Sequence, residues 1–216
     1  MLHLHKKYAY QYSQIELNHF KNLKLKYGRR FQHKIAADKK AAWYDTKKAT
    51  SIIKNKLLKH KLLHTRYSCS YCHQKLYRST IQIDHFIPCA EYPKYSFHPL
   101  NLIVSCDYCN ATLKNQFDPI LTNALKYSKI EFSIVHPLLD NVQDEIRYND
   151  TDRLTVDMSN SSTKGIKTIR LFRLANIESI FQRTNQFTQE LFYPLTDKVL
   201  QELVDECITY LPKKRK

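Results

Sequence analysis

Glycine is nearly missing from this chain: Gly28 and Gly165 are the two in 216 residues. Phosphate-cradling loops need clustered glycines so that backbone N–H groups can approach the ligand. Nucleotide binding through a Walker-type or GxGxxG loop is therefore excluded. Long apolar runs are missing as well. The opening residues are studded with His3, His5, Lys6 and Lys7, so no signal peptide or membrane span is expected there. The expectation is a cytoplasmic protein with no membrane partner, in a compartment where thiols stay reduced. Acidic residues are scarce in one region, with positions 1–66 holding 17 Lys and Arg against 3 Asp and Glu.

What is present reads as globular. The chain is 43% hydrophobic and 25% charged, and it is long enough to bury a core. Its net charge of +15 is uneven: +14 over positions 1–66, +1 over 67–116, −4 over 117–212 and +4 in the last four residues. Such asymmetry points to an anionic partner met by the N-terminal third, DNA or RNA, although a solvated basic face gives the same composition. Arg29 and Arg30, followed by Lys34, form a basic loop and are candidate substrate-binding residues.

The pattern divides the chain into a basic helical region (1–66), a central module (67–118) and a mixed, then helical, region (119–216). Ser13-x-x-Glu16 has the form of a capping box and precedes Leu17, Phe20, Leu23 and Tyr27 at helical spacing, with Gly28 as the stop. Asp38 is expected to cap a second helix running to about Leu63, with Trp43 as a core anchor. Alternation at Ile130, Phe132 and Ile134, and again at Leu154, Val156 and Met158, predicts short strands. Helices are expected from Lys164-Gly165 to about Ala175, from Asn176 to Pro194, and from Thr196 onward.

Four of the six cysteines fall into two C-x-x-C pairs, Cys69/Cys72 and Cys106/Cys109, with Cys89 and Cys207 left over. Each pair can form a knuckle offering two thiolates to one tetrahedral Zn²⁺, and a Cys₄ site has no open position, so its role is structural. Buried free thiols or redox cysteines are the alternative. Between the pairs stands Asp84-His85. A carboxylate suits Mg²⁺ or Mn²⁺, and the neighbouring imidazole can serve as general base on water. Successive side chains on a strand point to opposite faces, so a shared site requires the backbone to bend there; an ion pair or a capped turn is the plainer reading. Asn110 can add a carboxamide oxygen beside Asp84, or simply cap a helix. Lys114, one helical turn further, can meet a phosphate oxygen. Asn101 can brace the loop bearing His85 through side-chain–backbone bonds, and His98 is a loop histidine near it.

The string Cys69-x-x-Cys72, Asp84-His85-x-x-Pro88, Tyr92-Pro93, Asn101-Leu102-Ile103, Cys106-x-x-Cys109-Asn110 and Lys114 resembles the HNH endonuclease family. The resemblance implies an α+β protein: a ββα-metal nuclease core pinned by a Cys₄ zinc site, with mainly helical N- and C-terminal extensions. It implies His85 as the general base, Asp84 and Asn110 as ligands of a catalytic Mg²⁺ or Mn²⁺, and Asn101 as the residue orienting the base. Asn110 at the last position makes this an H-N-N variant. The implied reaction is phosphodiester hydrolysis of DNA, leaving 5′-phosphate and 3′-hydroxyl ends. Outside the module, His136-Pro137 and the Lys164-Gly165 helix are similar to stand-alone HNH proteins of bacterial defence islands, some of which work beside an ATPase. The alternative is a zinc-pinned nucleic-acid-binding subunit of a defence complex, active only with such a partner.

Overall fold

The computed structural model describes residues 10–28, 42–44, 48–76 and 80–192. Arg29, Arg30, Lys34, Asp38, Pro194, the helix expected from Thr196 and Cys207 lie outside them. The architecture is α+β: helices combined with small antiparallel ladders.

Helix α1 spans Gln14–Tyr27 and opens with the expected capping box, Ser13 N donating to Glu16 Oε2 at 2.8 Å and Glu16 N to Ser13 Oγ at 3.4 Å. Glu16 also ties α1 to its neighbours, accepting at Oε1 from Tyr10 Oη at 3.0 Å and from Lys56 Nζ at 3.3 Å. Gly28 follows at φ 52°, as a helix stop in left-handed backbone requires. Helix α2 runs Lys48–His64, starting ten residues beyond Asp38. Trp43 is not on it; it sits in a separate 3₁₀ turn, Ala42–Tyr44, and is buried as a core residue.

The centre of the molecule is an antiparallel hairpin. Strand β1, Ile81–His85, pairs with β2, Leu102–Cys106, in a register that sets Asp84 opposite Ile103 and His85 opposite Leu102. A wide helical segment, Tyr108–Lys114, follows β2 and closes with Asn115 N donating to Asn110 O at 2.8 Å, an i→i+5 bond. Both faces of the hairpin are covered. On one side Leu23, Trp43, Ile53, Leu57, Phe97 and Leu102 join it to the N-terminal helices. On the other a larger core gathers Phe86, Ile103, Tyr127, Phe132, Ile134, Ile169 and Phe172.

The remainder is short pieces wrapped on that larger core. Strands β3 (Ile120–Thr122) and β4 (Glu131–Phe132) pair with a register irregularity. Then come the single-turn α3 (Val142–Glu145) and the β5 (Arg147–Tyr148) and β6 (Val156–Asp157) ladder. Helix α4, Thr163–Leu171, is capped by Ser162, whose Oγ accepts from Gly165 N at 2.9 Å. Gly165 is there for packing, since a Cβ would stand 1.8 Å from the Glu145 carbonyl oxygen. The helix stops at Leu171 rather than near Ala175, in a Schellman arrangement: Leu174 N bonds Ile169 O at 2.9 Å and Arg173 takes φ 52°. Helix α5 runs Ile177–Phe192.

Candidate functional site

The four cysteines converge. Although 33 residues separate the two pairs, the sulfurs of Cys69, Cys72, Cys106 and Cys109 all lie within 4.8 Å of one another, and all four residues are buried. Four sulfurs at about 2.3 Å from one tetrahedral Zn²⁺ stand roughly 3.8 Å apart, and Cys72 and Cys106 Sγ are at 3.9 Å. Each pair also has a backbone N–H directed at its first sulfur: Tyr71 N to Cys69 Sγ and Cys109 N to Cys106 Sγ, both 3.4 Å. The turn after Cys72 needs left-handed backbone, supplied here by His73 at φ 62° where glycine would be the easy choice. Hydrogen bonds from Cys109, Cys69 and Cys72 pull the Cys106 thiol down, while Cys72 and Cys109 are pushed up. Four crowded sulfurs can all ionise only around a cation, so the cluster is fitted to bind a metal such as zinc.

Asp84 is buried on the hairpin face that the Tyr108–Lys114 helix crosses. Its two carboxylate oxygens have separate partners: Tyr71 Oη donates to Oδ2 at 2.5 Å and Lys114 Nζ to Oδ1 at 3.1 Å. Burial raises the Asp84 carboxyl above its ordinary range, against the pull of Lys114 and Tyr71. Lys114 is 2% exposed and also donates to the His85 carbonyl oxygen at 2.9 Å. Its ammonium thus faces inward to Asp84, not outward where a phosphate would meet it. A buried charge is tolerable only when paired, and Asp84 is the available carboxylate. Asn110, on the same helix, donates through Nδ2 to Gln82 Oε1 at 2.7 Å. That orientation leaves its carbonyl oxygen as the atom available to a ligand.

His85 points the other way. The strand runs straight through it into pairing with Leu102, so Asp84 and His85 part to opposite faces and share only the end of β1. The His85 ring is edge-on to Trp43, centroids 4.6 Å apart, and its Nε2 lies 2.9 Å from the Ser96 carbonyl oxygen. A carbonyl only accepts, so Nε2 carries the hydrogen and Nδ1 is left with the basic lone pair. Burial pushes the imidazole down to about 4, with the Ser96 bond opposing and Lys114 and Lys54 adding to the fall.

Asn101 braces the intervening loop. Its Oδ1 accepts from Ile87 N at 2.7 Å and from Tyr127 Oη at 2.9 Å. Its Nδ2 donates to the Ile87 and Tyr95 carbonyls, each at 3.1 Å. Tyr95 immediately precedes Ser96, so Asn101 fixes the backbone that holds His85. His98 stacks on Tyr127 at 4.4 Å and accepts at Nδ1 from Leu100 N, a loop-shaping role. Cys89 is buried and free. Sequence reading missed Tyr71, Gln82, Ser96 and Tyr127, and it did not place Trp43 against His85 or His136 beside Tyr127, with Nε2 and Oη 3.2 Å apart. Tyr71 alone carried a signal, lying inside the first C-x-x-C.

Among known proteins, no family model matches the chain and no solved structure matches it. A curated relative, "Protein ea31" of Escherichia phage lambda, is 40% identical over 55 residues, a stretch covering 26% of this chain and 18% of that protein. No helix among the described residues is long and apolar enough to cross a membrane.

Proposed function

We propose that the protein is a metal-dependent endonuclease of the HNH type that hydrolyses phosphodiester bonds of DNA, with a structural Zn²⁺ on the four cysteines. The observation that carries this reading is the His85–Ser96 bond. It fixes one tautomer and leaves Nδ1 as a base at the end of β1, on a loop held by Asn101. A general base needs that preparation before it needs anything else. The order of a hairpin followed by the Tyr108–Lys114 helix supports reading this region as a ββα core.

In this reading His85 Nδ1 takes a proton from water as the water attacks phosphorus. Because His85 and Asp84 face opposite sides of a straight β1 here, the reading requires the end of that strand to bend so that both meet one phosphate. The imidazole is neutral at pH 7, and the negative phosphodiester favours its protonated form as the reaction proceeds. Asp84 and the Asn110 carbonyl oxygen form the hard-oxygen donor set for a divalent cation. Each Asp84 oxygen keeps a lone pair beyond its present partner, so the residues fit Mg²⁺ or Mn²⁺. When bound, that ion supplies charge stabilisation at the phosphate and the leaving oxygen. Lys114 balances Asp84 in the metal-free protein. The basic N-terminal third supplies the grip on the DNA backbone, with Arg29 and Arg30 as contacts.

A second reading draws on the burial of the same groups. His85 lies under Trp43, and Asp84 is 4% exposed, as suits a zinc-pinned nucleic-acid-binding subunit that is silent until a partner, an ATPase or another defence-system protein, opens the site. Plasmid cleavage by the zinc-loaded protein, with Mg²⁺ supplied or omitted, tests both. Mg²⁺-dependent nicking or linearisation that is lost in Asp84→Asn supports the nuclease. Tight DNA binding with no cleavage at any Mg²⁺ concentration favours the subunit.

A further inference from the structure

The cysteine cluster and Asp84 are mechanically joined, and the join runs through the knuckles themselves. Tyr71 lies between Cys69 and Cys72, its N–H directed at Cys69 Sγ and its Oη on Asp84 Oδ2. The ring has no slack: it is 3% exposed and stacks on Phe172 with centroids 4.2 Å apart and planes 12° from parallel. From the other side Lys114 reaches Asp84 Oδ1 from the helix that begins beside Cys109. The first C-x-x-C and the helix that carries the last cysteine of the second therefore each send one side chain to one oxygen of the same carboxylate. A metal gathering the four sulfurs fixes the backbone from which both side chains start. Neither contact is needed to form a cysteine site, and the packing of Tyr71 would be served equally by phenylalanine.

We propose that Tyr71 is a positioning residue that couples metal occupancy of the four-cysteine site to the orientation of Asp84, and so to the divalent-cation affinity of the reaction site. This rests on the nuclease reading for the divalent cation at Asp84 and for the use to which it is put. The hydroxyl holds Oδ2 so that the free lone pairs of Asp84 are presented in one orientation. Partners of this kind, one shell behind a ligand, are worth about 10-fold to 100-fold in metal affinity when removed.

The test is Mn²⁺ binding to full-length, zinc-loaded protein, followed by electron paramagnetic resonance, in wild type, Tyr71→Phe and Asp84→Asn. Zinc content and thermal melting are measured on the same samples. Expected is a wild-type Mn²⁺ site that Asp84→Asn abolishes and Tyr71→Phe weakens about 10-fold or more, with zinc content unchanged. In cleavage assays the Tyr71→Phe defect shifts the Mg²⁺ needed for half-maximal rate and is largely repaired at saturating Mg²⁺, a split that a general loss of stability does not produce. Wild-type Mn²⁺ affinity in Tyr71→Phe overturns the proposal, as does a wild-type protein with no Mn²⁺ site beyond that of Asp84→Asn. Mn²⁺ binding that follows the prediction without any DNA cleavage would leave the Tyr71 coupling standing and defeat the nuclease.

Discussion

The two faces of strand β1 solve the burial of a polar side chain in opposite ways. Asp84 is held by charge, between the Lys114 ammonium and the Tyr71 hydroxyl. His85, one residue on, is kept neutral against Trp43 and fixed by a single bond to a carbonyl. The first arrangement gives a fixed anion whose loss of a partner is costly. The second gives a neutral imidazole whose charge state is set by burial. Their shared scaffold is the hairpin, and the cysteine site at its far end braces the charged face through Tyr71.

Removing that brace should have the largest effect. Structural zinc contributes on the order of 10 kcal/mol of folding free energy in small sites, comparable with the whole stability of a domain. Cys106→Ser should therefore lose both its metal and the cooperative melting of the central region, read by metal analysis and calorimetry. A Cys106→Ser protein that melts like wild type without metal would remove the cluster from the architecture.

The charged face comes next. Lys114→Met leaves Asp84 buried without its cation, and breaking such a pair typically costs about 3–5 kcal/mol. The double variant Lys114→Met/Asp84→Leu should recover much of that loss in denaturant titrations. Equal stability of the single and double variants would mean that the pair is not coupled as the geometry indicates.

Acid separates the faces by sign. His85 is neutral in the folded protein down to about 4, whereas the unfolded chain protonates it near 6.5. Between those values the unfolded state binds the extra proton, so stability falls as pH drops, by about 3 kcal/mol for His85 alone. His136, whose burial holds it well below its ordinary value, adds to the same fall. Asp84 works in the other direction: its carboxyl is raised by burial, so the folded state takes up its proton first, which opposes part of the loss. Stability measured from pH 7 to 4 should decline, and His85→Phe should flatten the decline by about one proton. A slope unchanged in that variant would contradict a neutral, buried His85.

The smallest expected effect lies away from both faces. Ser13→Ala removes the α1 cap at a cost of about 1 kcal/mol and should leave metal content untouched.

Much of this was legible in the sequence where a signal is local. The Ser13–Glu16 box, the Gly28 stop and the two C-x-x-C pairs each depend on a few neighbouring residues, and each appears where the pattern put it. The end of α2 near Leu63 was legible, but that of α4 was misread for a physical reason: this chain makes its left-handed stop there with Arg173 instead of glycine, so the usual punctuation is absent. The separate turn carrying Trp43 was missed because an aromatic at helical spacing fits a helix equally well. Within the site, Asp84, His85, Asn101 and Asn110 stood out by type and order, but their partners did not. Tyr71 meets Asp84 across 13 residues, and Lys114 meets it across 30. The inward turn of Lys114 depends on a burial that only the packed helix reveals.

The most direct test of the central idea is plasmid cleavage by His85→Ala beside wild type, both zinc-loaded, with Mg²⁺ present and DNA binding measured in parallel. The expected result is Mg²⁺-dependent cleavage by wild type and none by His85→Ala, with zinc content and DNA affinity unchanged. Cleavage by His85→Ala at the wild-type rate would contradict a prepared imidazole base at the end of β1.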